Sequence, residues 1–167
     1  YQGEELGLTQ VDIPFERLQD PEAIANWPLT LSRDGARTPL PWTAEAAQAG
    51  FSSAEPWLPH GDDHLALAVD AQDADPASLM NLTRHLLALR KANPALHHGA
   101  LDILIADERT LAFRRTADGQ SMLCLFNLSN QPVQWPDEIA ASNHVLCTIN
   151  DAAPGALPAY GALLIEE

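Results

Sequence analysis

The chain has 167 residues, of which 23 are acidic and nine are basic, and its formal net charge is −14 at pH 7. A chain of this length forms one domain, or one domain with part of a second. The negative charge repels phosphates and anionic headgroups, so nucleic acids and membrane surfaces are not expected partners.

The two cysteines, Cys124 and Cys147, each lie in an alternating apolar stretch. This setting favours two reduced core thiols over a disulfide, and favours them still more over a metal site. We therefore expect a reducing, cytoplasmic compartment. No cofactor motif is present in the sequence, and His60 and His64 lack partners at metal-ligand spacing.

The first part of the chain is predicted to contain a strand end and one short helix. The order of residues in Tyr1–Gly7 is typical of a strand that opens into a loop. Asp20 is expected to cap a helix that starts at Pro21, because aspartate accepts hydrogen bonds from free N–H groups and proline suits the first turn. Pro28 is expected to stop this helix at about Trp27.

The most unusual chemistry lies in the segment Ser32–Trp42, which carries Arg33 and Arg37 beside Asp34. Its two prolines are expected to hold Thr38–Trp42 as a rigid extended arm. A guanidinium held still can bind a carboxylate or the vicinal hydroxyls of a sugar. The alternative is a surface turn with a local Asp–Arg ion pair, which the residues taken alone favour.

The middle of the chain is predicted to be a loop followed by a long helix. Thr43–Gly50 is expected to make one or two helical turns, and Phe51 and Trp57 are expected to act as hydrophobic plugs in the loop that follows. The clearest helix runs from Asp75–Pro76 to near Asn93–Pro94, because leucines recur at helical spacing through it.

From Gly99 onward the hydrophobic period changes from helical to two residues. The alternation and the intervening turn signals predict an antiparallel all-β sandwich of about five to seven strands. The predicted strands are Leu101–Ile105, Leu111–Arg114, Met122–Asn127, Val133–Trp135, His144–Ile149 and Ala159–Ile165.

Three stretches in this order resemble the alpha-amylase superfamily, glycoside hydrolase family 13, and within it the exo-acting alpha-glucosidase and oligo-1,6-glucosidase branch. They are Tyr1–Gly7, Arg33–Trp42, and Ala49–Ser52 leading to Glu55–Pro59. A helix with the sequence Leu86–Lys91 and a β-rich remainder extend the resemblance over nearly the whole chain.

The resemblance implies an α+β fold class in which residues 1–95 are the C-terminal end of a (β/α)8 barrel. This part would supply the last strand, the long substrate loop and the last helix, and residues 96–167 would form an antiparallel all-β C-terminal domain. The loops after the strands of such barrels build the active site. The long loop would therefore form part of a substrate pocket.

The resemblance also implies which residues bind substrate. In the family, the arginine that matches Arg33 pairs with an aspartate from an early barrel loop, and together they hold the outer hydroxyls of the terminal glucose. Arg37 resembles a residue that holds the loop, although the two arginines could exchange roles. Gln10 and Glu22 are candidates to face the leaving-group sugar.

No catalytic residue is assigned. A retaining glycosidase needs two carboxyl groups about 5 Å apart, and the family takes both from earlier barrel strands. The chain is therefore expected to be the C-terminal portion of an alpha-glucosidase, inactive alone, whose partners are the N-terminal barrel portion and an alpha-glucoside oligosaccharide. The alternative is a non-catalytic β-sandwich that binds carbohydrate or protein, which an exposed row of aromatic side chains would favour.

Overall fold

The computed structural model describes residues 1–30, 32–137, 139–140 and 143–167. The chain forms two compact units, Tyr1–Leu86 and Leu87–Glu167. Within the described ranges, no helix combines the length and the apolar character needed to cross a lipid bilayer.

The first unit is made of short helices joined by irregular loops. Its α-helices are α1 (Pro21–Asn26), α2 (Val69–Ala74) and the first part of α3 (Leu79–Ala92), which continues into the second unit. The described residues of this unit also form 3-10 turns, two before α1 and three between α1 and α2, at Glu4–Leu6, Phe15–Arg17, Arg33–Ala36, Ala47–Gly50 and Leu65–Leu67. A small apolar core forms around Ile13, Leu18, Ala23 and Leu58.

Helix α1 confirms the prediction from its capping residues. The carboxylate of Asp20 accepts the backbone N–H of Glu22 at 3.3 Å, and Pro21 occupies the first turn. The helix ends at Asn26, one residue before Trp27 and two before Pro28.

The strand end predicted at Tyr1–Gly7 is wrong. Gly3 and Gly7 have φ angles of 99° and 78°, which belong to the left-handed region and cannot continue a strand. Between them Glu4–Leu6 forms a 3-10 turn, and the carboxylate of Glu5 accepts the N–H of Gly3 at 2.9 Å. The turn buries Leu6.

The predictions for residues 43–63 hold only in part. Gln48 and Ala49, within the turn Ala47–Gly50, have positive φ angles, so right-handed helical turns do not form there. Phe51 and Trp57 are 47% and 73% exposed, so the prediction that they plug the loop is wrong. Ala49 and Leu58 are the buried apolar residues of this stretch.

The predicted long helix is present as α3, but it starts later than the Asp75–Pro76 signal indicated. The hydroxyl of Ser78 accepts the N–H of Asn81 at 3.2 Å, which is the bond of an N-cap. The side chain of Gln72 fixes this start, since its Oε1 accepts the N–H of Met80 at 3.1 Å and its Nε2 donates to the carbonyl of Leu6 at 2.8 Å.

The second unit contains α4 (Pro94–His98) and a five-stranded antiparallel sheet. The strands are β1 (Ala100–Ala106), β2 (Thr110–Ala117), β3 (Gln120–Asn127), β4 (Val145–Ile149) and β5 (Ala162–Glu166), in the spatial order β1-β2-β3-β5-β4. The Asp118-Gly119 turn between β2 and β3 has positive φ at both residues, as the Asp-Gly signal predicts.

The described residues place these strands in one sheet, where the sandwich prediction expected two. Val133 makes an isolated bridge to Leu157 in place of the strand predicted at Val133–Trp135. Loop residues cover the apolar face of the sheet, because Ile139, Ala152 and Leu157 pack with strand residues in one buried cluster. Loops therefore supply the layer that the prediction assigned to a second sheet.

Both cysteines are free and buried, which confirms the prediction made for them. Burial raises the pKa of the Cys124 thiol to about 11 and also raises the pKa of the Cys147 thiol. Neither thiol is therefore reactive at neutral pH, since the thiolate is the nucleophilic form.

Asn127 at the end of β3 organises the loops that cover the sheet. Its side chain is buried, and its Nδ2 donates to the carbonyls of Gln131 at 2.8 Å and Pro158 at 2.7 Å. Its Oδ1 accepts the N–H and the hydroxyl of Ser129 at 2.9 and 2.8 Å. One amide therefore joins the loop after β3 to the loop before β5.

Asn127→Ala is expected to lower the free energy of unfolding by about 1–3 kcal/mol, because it removes the hydrogen bonds that a buried amide makes to both loops. Urea unfolding of the wild-type and variant proteins measures this difference. Asn130→Ala is the matched control, since Asn130 is exposed in the same loop. Equal losses in the two variants would contradict the role given to Asn127.

Candidate functional site

Three of the four predicted substrate-binding residues line one open cleft of about 610 Å³ in the first unit. We call it the arginine cleft, and its walls are Tyr1, Gln10, Ser32, Arg33, Ala36 and Arg37. Glu22 is not part of these walls. Its carboxylate accepts hydrogen bonds from Asn26 at 3.2 Å and Thr30 at 3.4 Å.

Arg33 is presented to the cleft by a capped 3-10 turn. The hydroxyl of Ser32 accepts the N–H of Asp34 at 3.0 Å, which starts the turn Arg33–Ala36. The Arg33 side chain is 63% exposed, yet its Nε donates to Asp20 at 2.8 Å and its Nη2 donates to the other oxygen of the same carboxylate. The guanidinium is therefore held in a two-point ion pair.

Asp20 is the buried half of this pair, with a fully buried side chain. Its carboxylate also accepts the backbone N–H of Arg33 at 3.1 Å. The hydrogen bond from the Arg33 guanidinium holds the pKa of the Asp20 carboxyl well below its usual range, although burial opposes the shift. The same contact raises the pKa of Arg33, so both groups stay charged together.

A second buried carboxylate, that of Asp34, supports the first. One oxygen of Asp34 accepts the backbone N–H groups of Gln19 at 2.6 Å and Asp20 at 2.7 Å. Its other oxygen lies 3.6 Å from Nη1 of Arg37. Asp34 therefore ties the Arg33–Ala36 turn to the residues that lead into α1.

The local Asp–Arg surface pair considered from the sequence is only partly right. Arg37 does lie near Asp34, three residues away, but the stronger partner of Arg33 is Asp20, 13 residues away. Sequence reasoning identified Asp20 only as a helix cap and missed its contact with Arg33. No helical or strand period joins positions 13 apart, so no local pattern could have found it.

Gln10 reaches the cleft because the chain crosses itself at Gly35. The N–H of Val11 donates to the carbonyl of Gly35 at 3.1 Å, and Nε2 of Gln10 donates to the carbonyl of Ser32 at 2.7 Å. A Cβ on Gly35 would lie 2.1 Å from the carbonyl oxygen of Val11. Only glycine fits beneath this crossing, and the crossing sets the position of Gln10.

The arm after Arg37 forms neither helix nor strand, and backbone hydrogen bonds hold its C-terminal end. The carbonyl of Pro41 accepts the N–H of Val69 at 2.9 Å, and the carbonyl of Trp42 accepts the N–H of Asp70 at 3.1 Å. Beneath it His64 is buried, with Nε2 3.1 Å from the carbonyl oxygen of Thr9 and Nδ1 3.5 Å from the hydroxyl of Thr38. These contacts fix both chain segments that border the arginine cleft.

The arginine cleft suits the binding of a hydroxyl-rich or anionic group. Two guanidinium groups, one amide and one serine stand in its walls, and Tyr1 adds an aromatic surface that is 74% exposed. Its walls hold no carboxyl side chain, so the cleft by itself lacks the acid pair of a retaining glycosidase. In the described part of the chain, no cluster of three or more His, Cys, Asp or Glu side chains is arranged to hold a metal ion.

The second unit offers little for carbohydrate binding in its described residues. Its four large aromatic residues are Phe113, Phe126, Trp135 and Tyr160, and of these only Tyr160 is exposed. The indole N–H of Trp135 donates to the carbonyl of Ile139 at 2.7 Å, and the two phenylalanine rings stack with their centroids 5.8 Å apart. The exposed aromatic row that would favour a binding module is not formed by these four residues.

Comparison with known proteins agrees with the motifs. A family model described as alpha amylase, catalytic domain, matches residues 1–99. A "Probable alpha-glucosidase" of Rhizobium meliloti is 44% identical over 131 residues, which cover 78% of this chain and 24% of that protein. A "Probable oligo-1,6-glucosidase 2" of Bacillus subtilis is 32% identical over 159 residues, which cover 81% of this chain and 28% of that protein.

A solved structure of the alpha-glucosyl transfer enzyme XgtA matches 99% of this chain with a TM-score of 0.85 at 39% identity, and the match covers 32% of that enzyme. Together these matches show the family of the chain. It belongs to the alpha-amylase family, which confirms the resemblance seen in its motifs. The chain spans between 24% and 32% of the length of these three proteins.

Gly35→Ala is expected to lower the free energy of unfolding by about 1–3 kcal/mol, because the added methyl group would overlap the Val11 carbonyl and force the crossing apart. Urea unfolding measures the loss. Ala36→Ser is the control, since it adds one atom at the adjacent exposed position and is expected to change stability by less than about 0.5 kcal/mol. Unchanged stability in Gly35→Ala would show that the crossing is not as tight as described.

Asp20→Asn is expected to destabilise the protein more at neutral pH than in acid. The depressed pKa of folded Asp20 means that its ion pair stabilises the fold above the unfolded pKa of about 4, and that this contribution fades as the pH falls below that value. Urea unfolding at several pH values measures the difference between wild type and variant. Glu16→Gln, which alters an exposed carboxylate, is the control. If the difference in free energy of unfolding between wild type and Asp20→Asn does not vary with pH, the stabilising ion pair assigned to Asp20 is contradicted.

Proposed function

We propose that the chain supplies the substrate-recognition loop and the C-terminal β domain of a retaining alpha-glucosidase. In this proposal the arginine cleft receives the terminal glucose of an alpha-glucoside, such as a short oligosaccharide or sucrose. The observation that carries the proposal is the arginine cleft itself, which is lined by two arginines that pair with buried carboxylates. The alpha-glucosidase and alpha-glucosyl transfer names of its relatives support the choice of sugar.

Arg33 is the residue proposed to bind the outer hydroxyls of that glucose. Among the described residues, its Nε and Nη2 are directed to Asp20, which leaves Nη1 as a donor for a sugar oxygen. A guanidinium fixed on one edge presents its remaining N–H groups in a known direction. Nη1 of Arg33 can therefore hold a sugar hydroxyl in one orientation, and the hydroxyl stays neutral.

The remaining proposed site residues differ in how far the geometry supports them. Arg37 lines the arginine cleft and lies beside Asp34, so it is proposed to hold the loop as well as to face the sugar. Gln10 lines the same cleft and is proposed to face the leaving-group sugar. Glu22 is proposed for the same sugar on the family resemblance alone, since its carboxylate bonds to Asn26 and Thr30.

The proposal divides the chain at residue 95. Residues 1–95 are proposed to close the end of a (β/α)8 barrel, which the match of the catalytic-domain model to residues 1–99 supports. Residues 96–167, with their five-stranded sheet, are proposed as the C-terminal domain of the same enzyme. The nucleophile and the acid/base are proposed to lie in a part of the whole enzyme that this chain does not include.

Arg33→Lys in the whole enzyme is expected to lower kcat/KM for maltose by about 10- to 100-fold. Lysine keeps the positive charge beside Asp20 but lacks the planar fork that binds Asp20 at two points and leaves a third nitrogen toward the sugar. One charged hydrogen bond contributes about 1.5–3 kcal/mol. Steady-state hydrolysis of maltose measures the effect. Arg84→Lys is the matched control, because Arg84 pairs with Asp73 on the surface, outside the cleft walls. Equal kcat/KM in wild type and Arg33→Lys would remove Arg33 from the site.

A further inference from the structure

We infer that Asp20 is a positioning residue for substrate binding, which holds the Arg33 guanidinium in the orientation that receives the sugar. The inference rests on the proposed function of Arg33 and extends it to a buried side chain that does not line the arginine cleft. It predicts that Asp20 acts on substrate only through Arg33.

The first support is the number and placement of bonds on this carboxylate. Its two oxygens accept the Nε, the Nη2 and the backbone N–H of Arg33, and also the N–H of Glu22. Three of these four donors belong to Arg33. An exposed arginine otherwise samples many rotamers, and ordering it on binding costs conformational entropy. Asp20 removes that cost before the sugar arrives.

The second support is that Asp20 is itself fixed. Asp34 accepts its backbone N–H at 2.7 Å, and the next peptide group begins helix α1. Asp34 thus fixes the backbone of Asp20, and Asp20 fixes the side chain of Arg33. A buried ion pair often contributes less stability than apolar packing of the same volume. Orientation of the guanidinium is therefore the role that we assign to this pair.

The helix-capping role of Asp20 can be separated from the positioning role. The capping bond to Glu22 is 3.3 Å, whereas the Nε bond from Arg33 is 2.8 Å. Asparagine caps helices about as well as aspartate but carries no charge and offers an amide N–H group toward the guanidinium. Asp20→Asn therefore keeps the cap and removes the charged contact with Arg33.

The test is chemical rescue in the whole enzyme. Arg33→Ala removes the guanidinium and is expected to lower kcat/KM for maltose. Millimolar guanidinium chloride is expected to raise kcat/KM of this variant at least about tenfold, because the ion can occupy the place beside Asp20. In the double variant Arg33→Ala with Asp20→Asn, the same additive is expected to restore nothing. A merely structural Asp20 would not change the response to guanidinium.

Gln72→Ala is the control for loss of stability in the same unit, because Gln72 is a buried polar residue outside the arginine cleft. Combined with Arg33→Ala, it is expected to leave the guanidinium rescue intact. Thermal unfolding of each variant shows that the compared proteins are folded at the assay temperature.

The outcomes separate the two proposals. Undiminished activity of Arg33→Ala would refute the proposed function of Arg33. A loss of activity with rescue that is equal with and without the Asp20 carboxylate, or absent from both, would overturn the positioning role and leave the role of Arg33 standing.

If Arg33→Ala does not fold, a double-mutant cycle with Arg33→Lys takes its place. Asp20→Asn is then expected to lower kcat/KM at least about tenfold in the wild-type background and less than about threefold beside Arg33→Lys, since contacting residues show non-additive effects. Additive losses would overturn the inference.

Discussion

The carboxylate of Asp20, buried under the guanidinium of Arg33, is the contact on which the candidate site depends. A charge removed from water must be paired and hydrogen-bonded, or it destabilises the fold. The carboxylate of Asp20 accepts hydrogen bonds from Arg33 and Glu22. The carboxylate of Asp34 accepts hydrogen bonds from the backbone N–H groups of the two residues before α1. These hydrogen bonds join the Arg33–Ala36 turn to the residues that lead into α1.

The sequence predicted best where local forces decide the structure. Helix α1 was predicted from a cap and two prolines, and the hairpin of β2 and β3 from alternation around Asp118-Gly119, because such signals lie within a few residues of their effect. The turn at Tyr1–Gly7 was predicted wrongly because glycine is compatible with several backbone conformations. The number of sheets could not be predicted, since alternation reports which side of a strand is buried and not what covers it.

For the candidate site, family resemblance identified Arg33 and Arg37, and the residues that hold them required the structure. Asp20, Asp34, Gly35 and His64 act across gaps of chain that no periodic pattern links. Burial was the missing information. A carboxylate on the surface and a carboxylate beneath an arginine look the same in sequence, although one contributes almost nothing to stability and the other fixes a loop.

The coupled charges of Asp20 and Arg33 also bear on how such an enzyme responds to its surroundings. Arginine retains its proton throughout the range in which proteins stay folded, and the carboxyl beside it resists protonation. Under the proposed function, sugar binding by Arg33 would therefore not depend on pH, and any pH optimum of the whole enzyme would originate in other titrating groups. Acid tolerance of binding and pH dependence of bond cleavage can thus be altered separately, by changing different parts of the molecule.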